Sequence, residues 1–108
     1  MTDRPLDGHH ALVTGAGSGI GAATALALAR AGARVSLAGR RRAPLEDVAR
    51  GMPEGSATVV DSFDVTSEAA ISGGLERARN ALGPVTILVN NAGEAPSAPF
   101  EKTDPGLW

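Results

Sequence analysis

The segment Thr14-Gly15-Ala16-Gly17-Ser18-Gly19-Ile20-Gly21 joins two stretches of different period. Before it runs the short apolar stretch 10–14, HALVT, which reads as a buried strand. After it, residues 19–31 carry Ile20, Ala23, Ala27 and Ala31 near helical spacing, and Gly32 stops the run as a C′ glycine does. Glycines at a strand-to-helix turn permit positive φ and let a phosphate approach the backbone with no Cβ in the way. The helix amino terminus adds free N–H donors and a positive dipole end, and the Ser18 hydroxyl is a further donor. A turn that only makes room for helix–sheet packing is the plainer alternative. The position between strand and helix is the context that a dinucleotide fingerprint requires, and Gly17, Gly19 and Ala22 fit G-x-G-x-x-A.

Outward from that turn the alternation continues. Residues 34–38, RVSLA, read as a second strand, and Pro44 suits the first turn of a helix running to about Arg50. Residues 57–63 read as a third strand. Ser67 caps a helix with Glu68 in its first turn, which extends to about Leu82 and ends at Gly83-Pro84. The fourth strand, 85–89 (VTILV), is as apolar as a central parallel strand buried on both faces. This β-α-β-α-β-α-β order predicts an α/β fold: the first half of a Rossmann-like, doubly wound parallel sheet with strand order 3-2-1-4. Its ligand crevice falls at the carboxyl ends of strands 1 and 4. After Asn91 the pattern gives way to a loop, and residues 104–108, DPGLW, look like the start of a helix. The expectation is one domain, 1–108, interrupted after its fourth strand and the following loop.

Composition narrows the function classes. A chain of 108 residues and 10.9 kDa holds one domain. Ten basic residues against twelve acidic give a net charge of −2, and Arg40-Arg41-Arg42 is the only basic cluster, so nucleic acid is not expected as a partner. Cysteine is absent, which excludes disulfides, thiolate metal sites and thiol nucleophiles. His9 and His10 read as an exposed strand entry, so no metal site is expected. No apolar run approaches the ~18 residues that span a bilayer, and the first residues lack a secretory pattern. The expected location is cytoplasmic, without a membrane partner.

The longer match around the glycine turn is T-G-x-x-x-G-x-G, built from Thr14, Gly15, Gly19 and Gly21. Asp64-Val65 follows the third strand, and Asn90-Asn91-Ala92-Gly93 follows the fourth. With these three markers in order, the chain resembles the amino-terminal, cofactor-binding half of the short-chain dehydrogenase/reductase family over nearly its whole length. The resemblance implies an NAD(P)(H)-dependent oxidoreductase that moves a hydride between nicotinamide and a carbonyl or secondary alcohol. It implies that Gly15, Ser18, Gly19, Ile20 and Gly21 surround the pyrophosphate and adjacent ribose. Asp64 would accept from the adenine amino group, with the Val65 backbone reading the ring; a helix-capping carboxylate is the plainer role for Asp64. Asn90, Ala92 and Gly93 would line the adenosine-side ribose and the path to the nicotinamide, Asn91 would be chiefly structural, and Trp108 would pack. A parent enzyme of this family is expected to be a homodimer or homotetramer.

Cofactor choice has a physical reading. A carboxylate about 20 residues after the glycine turn bonds the ribose 2′-hydroxyl of NAD and repels a 2′-phosphate. Gly39 stands there, and Arg40 follows with a guanidinium suited to a 2′-phosphate. NADP is therefore the preferred cofactor, with NAD possible; a solvated basic loop is the alternative reading of the arginines.

The family's chemistry uses a Ser, a Tyr-x-x-x-Lys pair and an Asn. This sequence has no tyrosine, and Lys102, its only lysine, comes too early to match. No catalytic residue is assigned, and the chain alone is expected to be inactive. Strand 4 would form an exposed apolar edge, making the isolated segment marginal or aggregation-prone. A non-catalytic nucleotide-binding module or inactive fragment is the second reading. A nucleotide-sugar epimerase is a third, which the Asn-Asn-Ala-Gly segment disfavours.

Overall fold

The computed structural model describes residues 4–91. Ala92, Gly93, Lys102 and Trp108, with the expectations attached to them, lie outside the described residues. The elements run β1 (His10–Thr14), α1 (Gly19–Arg30), β2 (Arg34–Ala38), α2 (Arg42–Arg50), β3 (Ala57–Val60), α3 (Glu68–Leu82) and β4 (Ile87–Val89). The strands form one parallel sheet in the order β3-β2-β1-β4, as expected for the first half of a Rossmann-like fold. Register pairs Leu12 with Ser36 on one side and with Leu88 on the other.

Side-chain alternation along the strands divides the core into two layers. Val13, Val35 and Leu37 pack with Ala25 and Ala29 of α1 and Leu45 of α2. Leu12, Ala38 and Val60 pack instead with Phe63 and with Ala78 of α3. The buried face of α1 is Gly21, Ala25 and Ala29, at four-residue spacing, and such small side chains let the helix lie close on the sheet. In α3, Gly74 does the same work: a Cβ there would stand 2.4 Å from Phe63 Cδ2.

Terminal signals explain most boundaries. The Ser67 hydroxyl accepts from the Ala70 N–H at 3.1 Å, capping α3 as expected. Gly32, at φ 106°, ends α1 in the left-handed region. Two strands are shorter than the apolar runs suggested. β3 stops at Val60 because Ser62 turns the chain at φ 57°, and the Ser62 and Phe63 N–H groups then donate to the Arg40 and Gly39 carbonyls. β4 begins at Ile87, and Val85 packs against the α3 layer instead. α2 starts two residues ahead of Pro44, which still lies in the first turn where its missing N–H costs nothing.

The histidine pair requires a correction. His9 is exposed, but His10 is fully buried. Its Nδ1 donates to the Gly83 carbonyl at 2.8 Å, and its Nε2 shares a hydrogen bond with the Ser36 hydroxyl at 2.7 Å. His10 is thus a polar pin joining β1, β2 and the turn after α3.

Candidate functional site

The carboxyl ends of the strands gather the residues that the sequence singled out. Gly15 and Gly19 sit at φ 64° and 59°, in the left-handed region that side chains disfavour. Gly21 answers a different need, since a Cβ there would meet the Gly15 carbonyl oxygen at 2.0 Å. Ser18 is the extended N-cap of α1, and its side chain makes no capping bond. The first turn of α1 carries no acidic residue, so the positive end of the helix is not neutralised from within.

A cleft of about 470 Å³ opens in front of this turn, lined by Gly15, Ser18, Gly39, Arg40, Val65 and Asn91, with Phe63 beside them. Gly19, Ile20 and Gly21 form the first turn of α1 behind it, and the Ile20 side chain is exposed. A shallower hollow shares Gly15, Ser18, Gly39 and Arg40 and extends to Gly17, Arg41 and Pro44. Asn90 lies in neither. It borders an apolar hollow of about 280 Å³ with Thr14, Val65, Leu75 and Leu88.

Thr14 ties the two central strand ends together. Its hydroxyl donates to Asn90 Oδ1 at 3.1 Å and accepts from the Asn91 N–H at 2.8 Å. Asn91 is thus tied to β1 through its backbone N–H and also lines the cleft.

The charges beside the cleft are paired unequally. Arg42 donates from Nε to Glu46 at 2.8 Å and stands 3.4 Å from Asp61. Asp61 also accepts from Arg77, through its carboxylate at 3.1 Å and its carbonyl at 2.6 Å. Arg77 first, and then Arg42, hold the Asp61 carboxyl below its ordinary range. Arg40, in contrast, makes one looser contact, with Nη2 3.6 Å from Asp64 Oδ1. That same oxygen accepts from the Thr66 hydroxyl at 2.7 Å and the Thr66 N–H at 2.9 Å. These two bonds, more than the Arg40 charge, lower the Asp64 carboxyl. Asp64 therefore shapes the turn before α3, while the capping role belongs to Ser67.

Two roles are not assigned by the sequence motifs: Thr14 as a tie and Arg41 as a lining residue. The run of three arginines was the available signal for Arg41; the role of Thr14 had none, because it depends on β4 lying beside β1. Among the described residues, no group of three or more His, Asp or Glu could hold a metal ion, and no helix is long and apolar enough to cross a membrane.

The family model for short chain dehydrogenases matches residues 9–108. The chain belongs to the short-chain dehydrogenase family. It is 41% identical to gluconate 5-dehydrogenase of Gluconobacter oxydans over 104 residues, which cover 95% of this chain and 41% of that protein. It thus spans about two fifths of the length of the curated relatives it matches. Among solved structures, a hydroxysteroid dehydrogenase from Escherichia coli superposes with a TM-score of 0.76 at 38% identity, covering 84% of this chain and 39% of that one. A 3-ketoacyl-(acyl-carrier-protein) reductase from Brucella melitensis, complexed with NADH, gives a TM-score of 0.71 at 38% identity over 77% of this chain and 34% of its own. Of the motif residues, Thr14 ends β1, Gly15 lines the cleft, Gly19 and Gly21 lie in the first turn of α1, and Asp64 lies in the loop between β3 and α3.

Proposed function

We propose that this chain supplies the cofactor-binding part of an NAD(P)(H)-dependent oxidoreductase of the short-chain type, acting on a small carbonyl compound or secondary alcohol and preferring NADP(H). One observation carries the preference: Arg40, and no carboxylate, follows Gly39 after β2 and lines the same cleft as Gly15 and Ser18. A carboxylate there would bond a 2′-hydroxyl and repel a 2′-phosphate, whereas a guanidinium can hold the phosphate through two parallel bonds.

The glycine turn fits a pyrophosphate. Gly15 and Gly19 adopt positive φ, and nothing stands within 4 Å of where a Gly19 Cβ would be. Gly15, Ser18, Gly19, Ile20 and Gly21 would hold the pyrophosphate and adjacent ribose through backbone N–H groups and the Ser18 hydroxyl. Arg40 would take the 2′-phosphate, Asp64 and the Val65 backbone the adenine, and Asn90, Ala92 and Gly93 the route toward the nicotinamide. Thr14 would keep Asn90 and Asn91 in register with the glycine turn. When bound, the nicotinamide supplies or accepts the hydride. In this reading residues 1–108 belong to one nucleotide-binding domain. The sequence has no tyrosine, so none of these residues is assigned the proton transfer. That same absence favours the second reading, a module that binds nucleotide without catalysis.

Fluorescence titration of NADPH and NADH tests the proposal. The protein in its full natural length should bind NADPH about tenfold more tightly, the size of one charge-assisted contact. It should oxidise NADPH with a carbonyl acceptor. Tighter binding of NADH would overturn the NADP(H) preference, and NADPH binding with no turnover in the full-length protein would favour the non-catalytic module.

A further inference from the structure

We propose that Asp64 is a specificity-determining residue, which lowers the site's discrimination in favour of a 2′-phosphate by holding Arg40 across the adenosine end of the cleft. The inference rests on the cofactor site proposed above and concerns how strongly that site distinguishes two nucleotides.

The three consecutive arginines differ in what occupies them. Arg42 is engaged by both Glu46 and Asp61, and Asp61 is itself tied to Arg77, so this guanidinium belongs to a network joining α2, the loop after β3 and α3. Arg41 makes no ion pair among the described residues. Arg40 is 72% exposed, lines the cleft, and has Asp64 as its ion-pair partner at 3.6 Å. That separation is an ion pair without a direct hydrogen bond, which an incoming anion can displace.

The carboxylate cannot move away as readily. Asp64 Oδ1 is pinned by the hydroxyl and the N–H of Thr66. The backbone brings the two partners together independently of their charges. The Ser62 and Phe63 N–H groups donate to the Arg40 and Gly39 carbonyls, locking the loop after β3 onto the loop after β2. A phosphate that binds Arg40 in place therefore has a fixed carboxylate nearby, and one that draws Arg40 aside breaks the ion pair. Both routes weaken a 2′-phosphate ligand and leave a 2′-hydroxyl ligand untouched.

Asp64→Asn keeps the oxygen that Thr66 binds and removes the charge. Isothermal titration of the protein in its full natural length with 2′,5′-ADP and 5′-AMP isolates the effect, because these probes differ only in the 2′-phosphate and do not need the nicotinamide half of the site. Asp64→Asn should raise the preference for 2′,5′-ADP over 5′-AMP by about 3- to 10-fold, the size of a partly screened charge pair. The thermal midpoint should stay near that of the wild type. In an Arg40→Gln background the same substitution should give a smaller gain. An unchanged or lower preference in Asp64→Asn, with the wild type favouring 2′,5′-ADP, overturns the role of Asp64 and keeps the NADP(H) reading. A gain of equal size without Arg40 also overturns it, since the pair would not be the agent. A wild type that binds both probes equally, with a variant that favours 2′,5′-ADP, overturns the NADP(H) reading and keeps the role of Asp64. Equal binding in both, or no binding, removes both.

Discussion

A methyl group on Gly21 would lie 2.0 Å from the Gly15 carbonyl oxygen, against backbone that has no rotamer to change. Gly21→Ala should therefore destabilise the fold by about 2–3 kcal/mol, in the range of overpacked buried sites, and weaken nucleotide binding with it. Urea denaturation gives the first number, and a variant within 0.5 kcal/mol of the wild type, inside the usual surface-substitution scatter, would refute the close approach. The glycine was legible in the sequence as part of the turn motif, but the atom it yields to was not. His10 departs from its expected exposure for a related reason. Its type and its place beside His9 suggest an exposed entry, yet both ring nitrogens find partners inside the protein. Burying that ring without such partners would cost about 1–3 kcal/mol for each unsatisfied group.

Elements are held to one another by charge as well as by apolar contact. Asp61, between β3 and α3, meets Arg77 of α3 and Arg42 of α2. Its folded carboxyl titrates below the ordinary 3.8, so its contribution to stability is fully present above that value and is lost as pH falls through the folded one. Asp61→Asn should thus be less stable than the wild type near neutral pH. The gap should narrow as both are acidified below 3.8, where the unfolded carboxyl takes up its proton before the folded one does. Melting curves across that range check the sign, and a gap that widens on acidification would contradict it. Helix and strand types were legible from period and caps, but the ends of β3 and β4 were not. The apolar runs continue past both boundaries. The β3 boundary is set by the loop bonds of Ser62 and Phe63, and β4 pairs with β1 only from Ile87.

At the scale of the whole molecule, β4 is the last strand of the sheet, paired only with β1 among the described residues. Leu88 is 52% exposed there, and Leu75 of α3 is exposed close to it beside an apolar hollow. A short apolar edge of this kind invites pairing with other chains. Leu88→Lys should reduce concentration-dependent light scattering of residues 1–108 while changing folding stability by less than about 0.5 kcal/mol. Unchanged scattering would show that the edge is not what associates. The apolar character of this strand and its exposed edge were both legible in the sequence, and β4 is an edge strand among the described residues.

The sequence by itself determined the order and type of the elements, the glycine turn at the carboxyl end of β1, and the cap of α3. Each of these is encoded within a few neighbouring residues, through period, backbone freedom or a short-range hydrogen bond. The strand order also followed, because right-handed crossovers leave little choice. Only the tertiary structure decided which side chains meet. His10 is buried by partners 26 and 73 positions away, Thr14 holds Asn90 and Asn91 from 76 and 77 positions away, and Arg40 faces Asp64 because two loops are bonded backbone to backbone. Local pattern fixes what a residue is suited to, and the packing of distant elements fixes what it touches.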